Sequence, residues 1–336
     1  MELSNPLAEA RYAQRYGSRE PVRVHSRPAM GTLFTVYLHH LDEARELEVF
    51  QAVFDEIERV EKTFSRFLPS SEIARINREA GQGPVVTDPE VFHLLEYAKN
   101  LSGKTEGAFD ITVGRLTHAW GFAERKRAIP SSDALEAAEA AVGWKHLQLD
   151  AEWRTVEFLT PGMELDLGAI AKGYAVDCAL NLLRSLAVQA MIDAGSSSIA
   201  ANGDFFSRAW PVCVADPASG DKPLCEVLLG DRALSTSGVK EQSFTMEGRI
   251  YSHLLDPASR RREQDSHPLQ VLQTTVLAPD SKLADGLSTA LFLLGPHRGK
   301  AVMEQFPECS AFWSCRGDKG DFCTSVRWPQ MKSSTE

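Results

Sequence analysis

The apolar positions of this chain change period along its length, and each change marks an element. Phe34, Val36 and Leu38 alternate with Thr35 and Tyr37, the period-two pattern of a half-buried strand. Phe50, Val53, Phe54, Ile57 and Phe64 then fall at three- and four-residue spacings, which predicts a long amphipathic helix. Ser71 with Glu72 behind it opens a shorter helix, and Asp88-Pro89 starts another through Phe92, Leu95 and Ala98. Ser131 begins an alanine-rich helix that runs to Val142. Short strands are predicted near 146–150, 154–158 and 162–167, the last leading into a helix that opens near Gly168. From 189 to 280 the pattern is strand-rich, through Met191, Val212, Glu226–Leu229, Leu234–Ser237, Arg249–Leu254 and Gln273–Leu277. An apolar helix follows at 283–294 and a second near 297–306. Blocks of helix and blocks of strand, without strict alternation, predict an α+β fold.

Two of these segments carry polar groups where core is expected. Asp285 and Thr289 lie four residues apart in the apolar 283–294 helix, so a carboxylate and a hydroxyl share one face. A buried carboxylate is costly unless it is hydrogen-bonded, paired or bound to a cation. The residues alone leave both readings open, a structural aspartate or a ligand for a hard cation such as Mg²⁺ or Ca²⁺. Upstream, the strand ending at Asp166 turns through Gly168 and Ala169 into a helix with Lys172 in its first turn. Free N–H groups at such a helix start, with a lysine beside them, suit phosphate. Small residues at a strand–helix turn also serve plain packing, and the spacing matches neither the P-loop nor the dinucleotide fingerprint.

Composition narrows the class. The chain has 336 residues with 36 Lys and Arg against 46 Asp and Glu, a formal net charge of −10. That balance argues against a nucleic-acid partner, whose surface calls for a basic patch. No apolar run reaches 18 residues, so no transmembrane segment is predicted. The polar first residues carry no signal-peptide pattern, and residues 1–27 read as a loose arm before a domain at 28–330. Six cysteines at 178, 213, 225, 309, 315 and 323 lack metal spacing and read as free thiols of a reducing compartment. The localisation expected for the sequence as written is cytoplasmic.

Eight motifs in order carry a resemblance across most of the chain. They are Met30-Gly-Thr32, Phe64-Ser-Arg-Phe67 with Ser71 to Asn77, Gly107 to Gly114 with Trp120-Gly-Phe122, and Asp166 to Gly173. Ala194-Gly-Ser-Ser-Ser198, Ser235-Thr-Ser-Gly238, Ser252-His-Leu-Leu-Asp-Pro257 and Ala284 to Gly295 complete the series. In these the chain resembles the ApbE family of FAD:protein FMN transferases. The resemblance implies an α+β, ApbE-like (T-fold-related) single domain with two lobes around a flavin cleft. It implies Mg²⁺-dependent transfer of FMN from FAD to a Thr or Ser of an acceptor flavoprotein subunit, releasing AMP. Alternatives are an FAD pyrophosphatase giving FMN and AMP, or a non-catalytic FAD-binding protein.

Site residues follow from the same resemblance. Mg²⁺, or Ca²⁺, would be held by Asp285, Thr289, Ser288 and the Ala169 carbonyl. FAD would touch Met30, Phe67, Ala108, Phe109, Asp110, Asp166, Lys172 and Leu255. His253 is the candidate general base, with Asp256 to orient it. Members of the family commonly continue after the Asp-Pro step with a Thr-Gly turn, whereas this chain reads Ala258-Ser-Arg-Arg-Arg-Glu-Gln-Asp265. Many also carry an N-terminal lipoprotein cysteine, and here the first cysteine is Cys178.

Overall fold

A computed structural model describes residues 22–39, 41–121, 128–203, 209–217, 223–239, 243–246, 249–252, 254–255, 257, 269–318 and 320–329. The chain begins with a hairpin, β1 (Val22–Ala29) and β2 (Thr32–His39), closed by the two-residue turn Met30-Gly31. Both turn residues have positive φ, 50° and 73°, the handedness that suits a tight hairpin. Gly31 adopts it freely, while for Met30 it costs roughly 1–2 kcal/mol.

Helix α1 (Glu43–Phe64) starts where the Asp42 side chain accepts the Arg45 amide at 3.1 Å. Its buried stripe, Val49 to Phe64, is the one its spacing predicts. Ser71 and Asp88 cap α2 (Glu72–Glu79) and α3 (Pro89–Lys104) in the same way, with β3 (Val85–Val86) between them. Then come α4 (Gly114–Trp120), α5 (Ser132–Ala140, capped by Ser131), β4 (Leu147–Asp150) and β5 (Thr155–Phe158). Helix α6 (Ala171–Ser185) precedes a run of strands: β6 (Ala190–Ala194), β7 (Ser198–Asn202), β8 (Trp210–Ala215), β9 (Pro223–Leu229) and β10 (Ala233–Gly238). The run continues through β11 (Ser243–Met246), β12 (Arg249–Ser252) and β13 (Leu269–Ala278). Helix α7 (Ser281–Val302) leads to β14 (Ser310–Gly317) and β15 (Gly320–Val326).

An eight-stranded sheet runs β1-β2-β6-β7-β10-β13-β14-β15, antiparallel at every pairing. One face carries α6 and α7, with α1 packed behind α6. The β8–β9 hairpin covers part of the other face, where Trp210, Val212 and Val227 meet Val24, Met191 and Ile199. A third, three-stranded sheet (β3-β5-β4) shares the main core through Val85, Leu147, Val156 and Phe158. All six cysteines are free thiols, and no helix among the described residues is long and apolar enough to cross a membrane.

Three boundaries differ from those the sequence predicts. Residues 22–27, expected within the arm, belong to β1 because Val22 and Val24 are buried against the β8–β9 hairpin; residues 1–21 lie outside the described residues. The strand expected at 162–167 is extended chain with a single bridge, Val113 to Glu164, and its helix opens at Ala171 rather than near Gly168. Residues 168–170 form a turn because the Asp166 side chain takes the Gly168 amide at 2.9 Å, holding the backbone out of the helix. The two helices expected at 283–294 and 297–306 are both present within 281–302, separated by a kink at the non-helical Gly295 (φ 66°, ψ 176°), the second ending at Val302.

Candidate functional site

The two helices on the sheet bring the polar residues of three segments together. Asp285, in the second turn of α7, is 4% exposed. Its Oδ1 accepts the Ser198 hydroxyl at 3.1 Å and the Ser235 hydroxyl at 3.3 Å, and Lys172 Nζ lies 3.9 Å away. Its Oδ2 accepts the Gly173 amide at 3.0 Å. The Ser288 and Thr289 hydroxyls donate back to the Asp285 carbonyl at 3.0 and 3.4 Å. Ser237 Oγ meets Ser288 Oγ at 2.8 Å and Thr289 Oγ1 at 3.3 Å. Ser235 and Ser237 alternate with Thr236 on β10, so strand periodicity turns both toward α7.

The start of α6 supplies a further donor. Gly173 is the third residue of α6, where a helix N–H has no acceptor within the helix. Its amide is capped by Asp285, and the Ala169 carbonyl, ahead of the helix, accepts no hydrogen bond among the described residues. Only glycine permits this. A Cβ on Gly173 would lie 2.3 Å from the Ser281 carbonyl oxygen and 2.9 Å from the Asp285 Cβ. Asp285, Ser288 and Thr289 thus put one carboxylate and two hydroxyls in one corner, and the Ala169 carbonyl lies one turn before Gly173; all are hard oxygen donors. A single negative charge suits a cation shared with substrate phosphates, which is how Mg²⁺ is commonly held. No cluster of three or more His, Cys, Asp or Glu able to hold a metal occurs among the described residues. Lys172 Nζ, 3.4 Å from the Gly168 carbonyl oxygen, adds positive charge on the same side.

A second wall is built from the segment after α1. Phe67 is 62% exposed, and the Arg66 guanidinium carbon stands 4.4 Å from its ring centroid. Arg66 Nε lies 3.1 Å from Asp166 Oδ2, which also accepts the Thr117 hydroxyl at 2.8 Å. Met30 is tied to α1, its amide donating to Glu61 Oε1 at 2.8 Å. Asp166, expected to touch FAD, therefore spends its carboxylate on Arg66, Thr117 and the Gly168 amide.

Other sequence-predicted residues are built into the fold. Ala108 and Phe109 are buried in the core, Phe109 against Gly286 of α7. Leu255 packs in a small satellite cluster with Leu116, Trp120 and Ala138. Asp110, expected at the flavin, accepts the Thr112 amide and hydroxyl on Oδ1 and the Trp144 amide on Oδ2, at 2.8, 2.7 and 3.0 Å. Burial pushes its pKa up, and those hydrogen bonds act in the opposite direction. His253, Asp256 and the 258–265 turn lie outside the described residues. Residue-by-residue reasoning missed Ser198, Ser235, Ser237, Arg66 and Thr117. The available signal was a Ser-Thr-Ser alternation on a strand, two hydroxyls on one face where apolar residues would bury better.

Fold and donor set together define an α+β protein whose buried Asp285 gathers serine hydroxyls and a lysine, and whose Asp166 holds Arg66 over an exposed aromatic ring. The ApbE family model matches residues 30–313, and the chain belongs to that family. It is 33% identical over 318 residues to the FAD:protein FMN transferase of Treponema pallidum (strain Nichols), covering 88% of this chain and 86% of that one. Against the FAD:protein FMN transferase of Vibrio cholerae the identity is 30% over 295 residues, 86% of each chain. Among solved structures, the ApbE protein of Thermotoga maritima superposes with a TM-score of 0.81 at 28% identity, covering 91% of this chain and 97% of that one. The flavinyl transferase ApbE of Pseudomonas stutzeri gives 0.78 at 29% identity, covering 92% and 95%.

Proposed function

We propose that this protein transfers FMN from FAD to a threonine or serine hydroxyl of an acceptor flavoprotein and releases AMP, in a Mg²⁺-dependent reaction. The observation that carries the reading is the buried Asp285 carboxylate, held by the Gly173 amide and the Ser198 and Ser235 hydroxyls with Lys172 Nζ 3.9 Å away. A buried carboxylate surrounded by hydroxyls that can rotate, with a lysine beside it, is suited to a charged ligand. The names of the relatives and their coverage of both chains support the same reading.

In this reaction the acceptor oxygen forms a bond to the phosphorus of the FMN half of the pyrophosphate. The P–O bond to the AMP phosphate breaks, and AMP leaves with the bridging oxygen. Asp285, Thr289, Ser288 and the Ala169 carbonyl would hold Mg²⁺, which when bound neutralises charge on the pyrophosphate oxygens. Lys172 adds a fixed positive charge beside them. Ser198 and Ser235 orient the Asp285 carboxylate, and the exposed face of Phe67 receives the flavin ring. The hydroxyl proton is assigned to His253, with Asp256 as its orienting partner.

The test incubates the protein with FAD and Mg²⁺, with and without a peptide carrying an acceptor threonine. AMP together with flavinylated peptide is the expected result. AMP with free FMN and unmodified peptide would assign water as the acceptor. Bound, intact FAD would overturn catalysis altogether.

A further inference from the structure

We propose that Arg66 is a positioning residue for the flavin ring, holding Phe67 as an open stacking platform and fastening it to the turn that presents Ala169. The inference rests on the reading of this site as an FAD site. The Arg66 side chain is 11% exposed although its loop lies at the surface, while the Phe67 ring under it is 62% exposed. The ring therefore has a planar cation on one face and solvent on the other. A guanidinium stacks flat on an aromatic face and is weakly hydrated, so it occupies that position at less desolvation cost than an ammonium.

Two further features make the platform rigid. The loop is pinned by bonds between side chains and its backbone: the Phe67 amide donates to Ser65 Oγ at 3.2 Å, the Ser71 hydroxyl donates to the Ser65 carbonyl, and Arg78 Nη1 donates to the Pro69 carbonyl at 3.1 Å. Asp166 balances the Arg66 charge and, through its other oxygen, fixes the Gly168 amide at 2.9 Å. One carboxylate thus sets both the stacking ring and the turn 166–169. A ring already held in place loses little freedom when a ligand stacks on it, which is how preorganisation raises affinity. Arg66 Nε is buried, and although it lies close to Asp166 its N–H is not aligned for a hydrogen bond. A ligand covering Phe67 would exclude water from this pair and strengthen it.

The experiment measures equilibrium affinities for FAD and for ADP, the latter lacking the flavin. Flavin fluorescence and ADP competition are read without Mg²⁺, so that no turnover intervenes. Arg66→Met should weaken FAD about tenfold and leave ADP within about twofold, with Arg66→Lys between wild type and Met. Arg66→Met should add little to Phe67→Ala, because both remove the same platform. Equal losses for FAD and ADP, or additive effects in the double variant, would overturn the proposal. A general loss of stability lowers both ligands alike and so counts against it too. Wild-type protein that binds FAD but transfers no FMN removes the transferase reading and leaves Arg66 in its role. An additive cycle on protein that does transfer FMN removes Arg66 alone.

Discussion

Asp285 and Asp110 are both buried carboxylates in apolar surroundings, 4% and 7% exposed, yet the fold uses them differently. Asp110 is held by two main-chain amides and the hydroxyl of its own turn, and it joins that turn to Trp144. Main-chain donors of this kind are fixed by the fold, and removing the carboxylate would strand them. Asp285 has one such amide, from Gly173, and otherwise serine hydroxyls with a lysine nearby. A hydroxyl rotates and can accept as well as donate, so this shell can reorganise around a cation or a phosphate. Burial is common to both residues; the kind of donor differs, fixed main-chain amides for Asp110 and mostly rotatable hydroxyls for Asp285.

The largest effect should come from removing charge while keeping shape. Asp285→Asn should lower Mg²⁺-dependent AMP release from FAD by about 10²-fold or more, the usual scale for losing one preorganised electrostatic contact. AMP release near the wild-type rate at saturating Mg²⁺ would erase the distinction drawn here. Asp110→Ala should do the reverse. It strands the Thr112 and Trp144 amides, so denaturant titration should show a loss of about 1–3 kcal/mol, with turnover per folded molecule preserved. A stable Asp110→Ala protein with selectively weakened FAD binding would return this residue to the site.

The smallest effect sharpens the comparison with a third carboxylate. Asp177, on α6, accepts the Ser281 and Lys282 amides at the start of α7, at 2.7 and 3.0 Å. Burial raises its pKa from 3.8 to about 6, although Lys282 and these amides act in the opposite direction. The folded state therefore holds this proton more tightly than the unfolded chain. Its contribution to stability is full below 3.8 and is lost as pH rises through about 6. Asp193 shifts the same way, also through burial. Asp177→Asn should therefore flatten part of the stability–pH slope across that window without abolishing it. An unchanged slope in urea titrations would show that Asp177 is not the titrating group.

Much of the architecture was legible because it depends on local period and local chemistry. The stripe from Val49 to Phe64, the caps at Ser71, Asp88 and Ser131, and the strand alternation at Phe34–Leu38 each follow from neighbours within four residues. The Asp285–Thr289 pair was legible for the same reason, since four residues make one helix face. The helix start at Ala171 was less so, because the Asp166 side chain bonds the Gly168 amide and shapes a turn at 168–170 ahead of the helix.

What the sequence by itself determined is therefore the set of elements, their class and the residues able to carry chemistry. The tertiary structure alone decided which of those residues meet. Ser198 and Ser235 reach Asp285 across separations of 87 and 50 residues, and Gly173 across 112. It also put Phe109 in the core, gave the Asp110 carboxylate the Thr112 and Trp144 amides, and set Arg66 over Phe67. Periodicity reports only the face on which a residue lies. Whether a buried polar group meets a fixed amide, a rotating hydroxyl or a vacant carbonyl depends on which distant segment packs against that face.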